Sequence, residues 1–166
     1  MIELLVVISI IGILSIVVFV NFNNFSQDQV LVRALLQVQN ALRFAQTNAT
    51  TGVLCGSSGG SSWSAEFESD KTTINILCEK STASQKTFSL ENVEIDQVQA
   101  SSCTSASPLP LKITYSPVTG KVDFGKMGDD ICLTTNSSTL TLTIKNLKNG
   151  NTKNLTISKG GAVDVR

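Results

Sequence analysis

The chain contains no histidine, which removes the commonest general base and the commonest metal ligand together. Most hydrolase triads and most catalytic zinc sites go with it. Charge is also scarce, at 16% of residues, and no Lys or Arg precedes Arg33. No Cys-x-x-Cys pair occurs, which argues against structural zinc, and there is no convincing internal repeat. Enzymes that work with carboxylates alone remain open, but no residue names itself as nucleophile, base or cofactor cradle. What is present is 166 residues, 42% of them hydrophobic. That suffices for one compact domain with an appendage and is too apolar for wholesale disorder.

Residues 1–20, MIELLVVISIIGILSIVVFV, carry Glu3 as their one charge, with Ser9, Gly12 and Ser15 as the other interruptions. As a helix, about 20 residues rise ~30 Å, the thickness of a bilayer's hydrocarbon core. A cleaved signal peptide would carry a basic start, a shorter apolar run and a small-residue cleavage site. None of these is found before or just after Val20. The expectation is therefore a retained membrane-spanning helix over 1–20.

From Asn24 a second period emerges. Leu31, Leu35, Val38, Leu42, Ala45 and Ala49 fall on one helical face, a stripe suited to packing on a sheet. Gly52 is placed to end the helix in a left-handed conformation. Residues 21–52 thus read as an amphipathic continuation, making one helix of about 45–50 residues, well beyond the usual length. Residues 53–166 read as a β-rich domain. Val53-Leu54-Cys55 is a short apolar run, followed by the loop GSSGGSS at 56–62. Residues 73–78, 87–90 and 93–98 are strand-like, and Leu111, Ile113, Tyr115 and Leu140, Leu142, Ile144 alternate. Lys148-Asn149-Gly150-Asn151 marks a hairpin before Leu155 and Ile157, and Lys159-Gly160-Gly161 a turn before Val163 and Val165.

The string IELLVVISIIGIL resembles the N-terminal segment of type IV pilins and of type II secretion pseudopilins. The resemblance implies a prepilin peptidase that cuts a basic leader after a glycine, and methylation of the new N-terminus. The leader, that glycine and two mature residues would lie upstream of Met1. It also implies that Glu3 pairs with a neighbouring subunit's N-terminal amine during filament assembly. An opposite charge is what makes burying such a carboxylate tolerable. Leu4, Leu5, Val6, Ile8, Ile11, Gly12 and Leu14 would form the hydrophobic assembly helix. Leu31, Leu35, Val38, Leu42 and Ala45 would seat it on the sheet. Ala41-Leu42-Arg43-Phe44-Ala45, Cys55, Trp63, Ser116-Pro117 with Gly120, and Leu155-Thr156-Ile157-Ser158 with Gly161 resemble the GspH and FimT group of minor pseudopilins and pilins.

The implied fold is α+β, a ladle. A long N-terminal helix, membrane-spanning in its first half, packs on a C-terminal antiparallel β-sheet domain. The implied protein is not an enzyme and has no cofactor, metal or catalytic residue. It is a minor pilin or pseudopilin of a type IV pilus or a type II secretion pseudopilus. It would be single-pass in the inner membrane with its C-terminal domain outside, then incorporated into a filament. Its partners would be other pilin or pseudopilin subunits, the inner membrane and the prepilin peptidase.

Cys55, Cys78, Cys103 and Cys132 lie beyond the apolar segment. An even number at wide spacing points to disulfides formed in an oxidising compartment. Of three possible connectivities, Cys55–Cys78 and Cys103–Cys132 join chain-adjacent segments and are favoured. Asp123, Asp129 and Asp130 near Gly125 and Gly128 read as an exposed turn rather than a metal site. From Lys112 to Arg166 there are eight basic and four acidic residues, which raises DNA as a partner, in the manner of a FimT-like competence pilin. The tail from Gly161 to Arg166 has one arginine and an aspartate, too few cations for phosphate contacts. A solvated face is the preferred reading.

Overall fold

The computed structural model describes residues 2–55, 61–79, 84–101, 109–126 and 137–165, with backbone only at residues 2 and 16–24. Helix α1 spans Ile2–Thr50. Nine strands follow among the described residues: β1 (Trp63–Phe67), β2 (Thr73–Cys78), β3 (Lys86–Ser89), β4 (Val93–Ala100), β5 (Leu111–Tyr115), β6 (Val122–Lys126), β7 (Thr139–Asn146), β8 (Thr152–Ser158) and β9 (Val163–Val165).

The helix ends as its sequence dictates. Gly52 takes φ 70°. The amide of Val53 donates to Asn48 O at 3.0 Å, and that of Gly52 to Ala49 O at 3.4 Å. These two bonds are the Schellman pattern, which satisfies carbonyls that a helix end would otherwise leave orphaned. Upstream, Leu31, Leu35, Val38, Leu42, Ala45 and Ala49 are all buried, as their spacing requires. Ala34 and Ala41 are buried with them, small residues that let the strands approach the helix backbone.

The strands form two antiparallel sheets, ordered β3-β2-β1-β5-β6 and β4-β7-β8-β9, and α1 touches both. Their inward residues and the helical stripe share one core. Alternation sets the inward set: Ile74 and Ile76 on β2, Leu111, Ile113 and Tyr115 on β5, Leu140, Leu142 and Ile144 on β7. On β4 the inward residues are Val93, Ile95, Val98 and Ala100. The break in their alternation coincides with a bulge between Ile95 and Gln97, where one extra residue returns the strand to the same face.

The expected ladle is corrected on two counts. First, the domain is not one sheet under a helix. Nine strands at ~4.8 Å spacing would span roughly 40 Å, whereas a helix is only ~10 Å across. Splitting the strands lets two inner faces wrap α1. Second, among the described residues no helix is long and apolar enough to cross a membrane. The membrane-spanning half and the single-pass inner-membrane placement do not stand.

Smaller differences concern β1 and β6. The run Val53-Leu54-Cys55 is not a strand, and β1 begins at Trp63. Asp123, read as part of a turn, sits within β6. Asp129, Asp130, Cys103 and Cys132 lie outside the described residues.

Candidate functional site

Two surfaces of α1 carry the residues singled out from the sequence, and the structure treats them oppositely. In the first, Glu3 lies in the opening turn of the helix, where a carboxylate complements the positive end of the macrodipole. Leu4, Leu5, Val6, Ile8, Ile11 and Leu14 follow, all more than half exposed, with Leu4 at 69%. Val7, Ile10 and Ile13 are exposed too, so the apolar surface runs round the helix. A Cβ built on Gly12 meets nothing within 4 Å. The polar interruptions are internally satisfied: Ser9 Oγ donates to Leu5 O at 2.8 Å and Ser15 Oγ to Ile11 O at 2.7 Å. Such back-bonding leaves the hydroxyls without need of water.

In the second, the packing stripe is sealed and polar clasps fix the helix at several heights. Asn146, fully buried, donates from Nδ2 to Gln27 O at 3.0 Å and accepts from the Lys148 amide at 2.8 Å. Asn151 Nδ2 donates to Asp28 Oδ1 at 3.0 Å. Midway, Gln37 Nε2 donates to Ser89 O at 2.9 Å. At the C-terminal end the Val118 amide donates to Ala49 O at 3.2 Å. There the Gln46 side chain occupies the space beside Gly120 and Gly161, where a Cβ on Gly161 would fall 2.3 Å from Gln46 Nε2.

Cys55 and Cys78 form a disulfide, as favoured from their spacing. Beside it, Trp63 Nε1 donates to Val53 O at 3.1 Å. Phe44 meets Trp63 edge-on at 6.3 Å, and Lys86 Nζ lies 4.9 Å from the ring centres of both Phe44 and Phe88. Cation–π contacts of this kind hold an edge strand to the helix. No spacing in the sequence joins these residues, since they come from α1, β1 and β3.

Among the described residues no group of His, Cys, Asp or Glu could hold a metal. The perturbed acids are structural. The Thr73 hydroxyl foremost, with the Thr72 and Thr73 amides, holds the Asp70 carboxyl down at about 2 against the opposing effect of burial. Burial pushes the Tyr115 phenol well above its ordinary range. The described C-terminal lysines are spread over β5, β6, β7, β8 and the turns between strands rather than confined to one element.

No family model, curated protein or solved structure matches the chain. The exposed apolar turn-after-turn of α1 is the feature that a lone domain in water does not explain.

Proposed function

We propose that this chain is a structural subunit of a helical filament, a minor pilin or pseudopilin of the GspH and FimT kind, assembled through its N-terminal helix. The observation that carries the reading is the surface from Leu4 to Leu14. Nine large apolar side chains there are exposed. Leaving them in water costs on the order of 10 kcal/mol relative to burying them. Association with like helices recovers that energy, and the all-round distribution suits a position with neighbours on several sides. Glu3, at the head of the segment, is the residue that sets register by meeting a neighbour's amino terminus. The partners are the other subunits of the filament, and a prepilin peptidase prepares the chain for them. The β domain, clasped to α1 from Gln27 to Ala49, is carried as a rigid decoration.

The test is incorporation. Filaments sheared from the native host should contain the full chain, and Glu3→Ala should deplete it from that fraction while leaving its cellular level unchanged. A chain that remains monomeric in its host, or Glu3→Ala incorporating at the wild-type level, would overturn the reading.

A further inference from the structure

We infer that the pocket between α1 and the β3–β4 turn binds a small zwitterion, an aliphatic α-amino acid, with its carboxylate on Arg33 and its ammonium on Glu91. The site stands apart from the filament reading, because it is built on the clasped part of the fold. Val30, Arg33, Ala34 and Gln37 line it from a single helical face, and Ser89, Glu91 and Asn92 line it from the turn. They enclose about 300 Å³, room for one amino acid and at the small end of the range for ligand sites. The turn is fixed from behind. Leu90 is buried and its amide donates to Thr72 O at 2.9 Å, while the Leu147 amide donates to Asn92 O at 3.1 Å. Asn92 bends the chain there with φ 60°, a conformation that asparagine tolerates better than most residues. Gln37 Nε2, donating to Ser89 O at 2.9 Å, ties the turn to the helix. The pocket is therefore formed before any ligand arrives.

The charges select the ligand. Arg33 and Glu91 line the same cavity, yet among the described residues neither makes a hydrogen bond or an ion pair, with the other or with any third group. A cation and an anion that border one space without closing on each other suit a molecule carrying both signs. A guanidinium takes a carboxylate through two parallel N–H bonds, and a carboxylate accepts from an ammonium. A simple anion would be repelled by Glu91, and a simple cation by Arg33. The backbone supplies a further donor. Because Leu90 is bonded to Thr72, the amide and carbonyl of its neighbour Ser89 both turn away from β2. The carbonyl meets Gln37; the amide has no partner among the described residues and is left for the ligand's carboxylate. Gln37 uses its Nε2 on the turn, so its Oε1 stays available to the ammonium. Half-buried Val30 and buried Ala34 give the aliphatic side chain an apolar floor.

The experiment is isothermal titration of the full-length chain with three compounds: leucine, leucinamide, which lacks the carboxylate, and N-acetylleucine, which lacks the ammonium. Leucine should bind one to one, and each blocked compound about ten-fold more weakly, the worth of one charged hydrogen-bonded contact. Two variants assign the ends. In Glu91→Gln, leucine should fall to the affinity of N-acetylleucine, whose own binding is unchanged. In Arg33→Gln, leucine should fall to the affinity of leucinamide, again unchanged. Both side chains are exposed and bond to no described residue, so the melting temperatures of the variants should match the wild type, which separates loss of the site from loss of the fold. No heat from leucine at several millimolar, equal binding of all three compounds, or variants that bind leucine as the wild type does would each overturn the assignment. Filament incorporation enters none of these outcomes, so the site and the filament reading fail separately.

Discussion

Gly161 offers the sharpest check of how the domain is seated on its helix. Its φ is +87°, and a Cβ there would lie 2.3 Å from Gln46 Nε2 and 3.0 Å from Gly120 O. Gly161→Ala therefore incurs two separable penalties. The left-handed backbone costs ~1–2 kcal/mol for any L side chain. The contact expels the Gln46 amide from its seat, which we put at ~1 kcal/mol because the far end of a flexible side chain can move. The sum, about 2–3 kcal/mol, corresponds to roughly 4–12 °C in Tm for a chain of this size. Trp63 is the single tryptophan and is buried, so urea unfolding followed by its fluorescence reports on the core directly. A double-mutant cycle separates the penalties. In a Gln46→Ala background, Gly161→Ala should cost only the backbone part, leaving a coupling of about 1 kcal/mol. A single-mutant cost below ~0.5 kcal/mol, the scale of ordinary surface changes, or zero coupling with Gln46, would refute the reasoning.

Other outcomes follow from buried groups. Tyr115 is fully buried and its hydroxyl has no hydrogen-bond partner among the described residues, so Tyr115→Phe should raise stability by about 1 kcal/mol in equilibrium unfolding. Because burial raises its pKa, the unfolded chain loses this proton first as pH rises. The wild type should thus lose up to ~1.4 kcal/mol per pH unit above pH ~10, a component missing from Tyr115→Phe. Asn146→Ala strips the buried clasp from Gln27 and the Lys148 amide and should cost ~2–3 kcal/mol, measured by thermal melting. Cys78→Ser opens a bridge of sequence separation 23 and should cost about 3 kcal/mol by loop entropy. Reducing agent should destabilise the wild type and leave that component unchanged in the variant.

Local order was legible in the residues, and pairing was not. The stripe from Leu31 to Ala49 and the stop at Gly52 follow from a 3.6-residue period and from glycine's tolerance of positive φ, both properties of neighbouring positions. The same holds for the turn at Gly150, φ 72°, and for strands such as β2 and β5. The division into two sheets was hidden, because alternation declares which face a residue takes and is silent on which strand lies beside it. β1 was obscured for a related reason: it is buried on both faces, Ser64 and Glu66 included, so it lacks the alternation of a half-exposed strand. β6 was masked by Asp123 and Gly125, residues of turn-like composition held in a strand by pairing with β5. The candidate surface was partly visible. Glu3 and the apolar run stand out in any reading, but the clasps joining Gln27 to Asn146 and Asp28 to Asn151 link distant positions and leave no local mark.

The clasp between Gln27 and Asn146, and between Asp28 and Asn151, bears on how the chain is made. The helix precedes its partners in the chain, and these two clasps, with part of the apolar stripe, wait for Asn146 and Asn151, about 120 residues further on. Until then the stripe must be kept from aggregating by other means, and loss of the final thirty or so residues would strand the helix rather than merely shorten the domain.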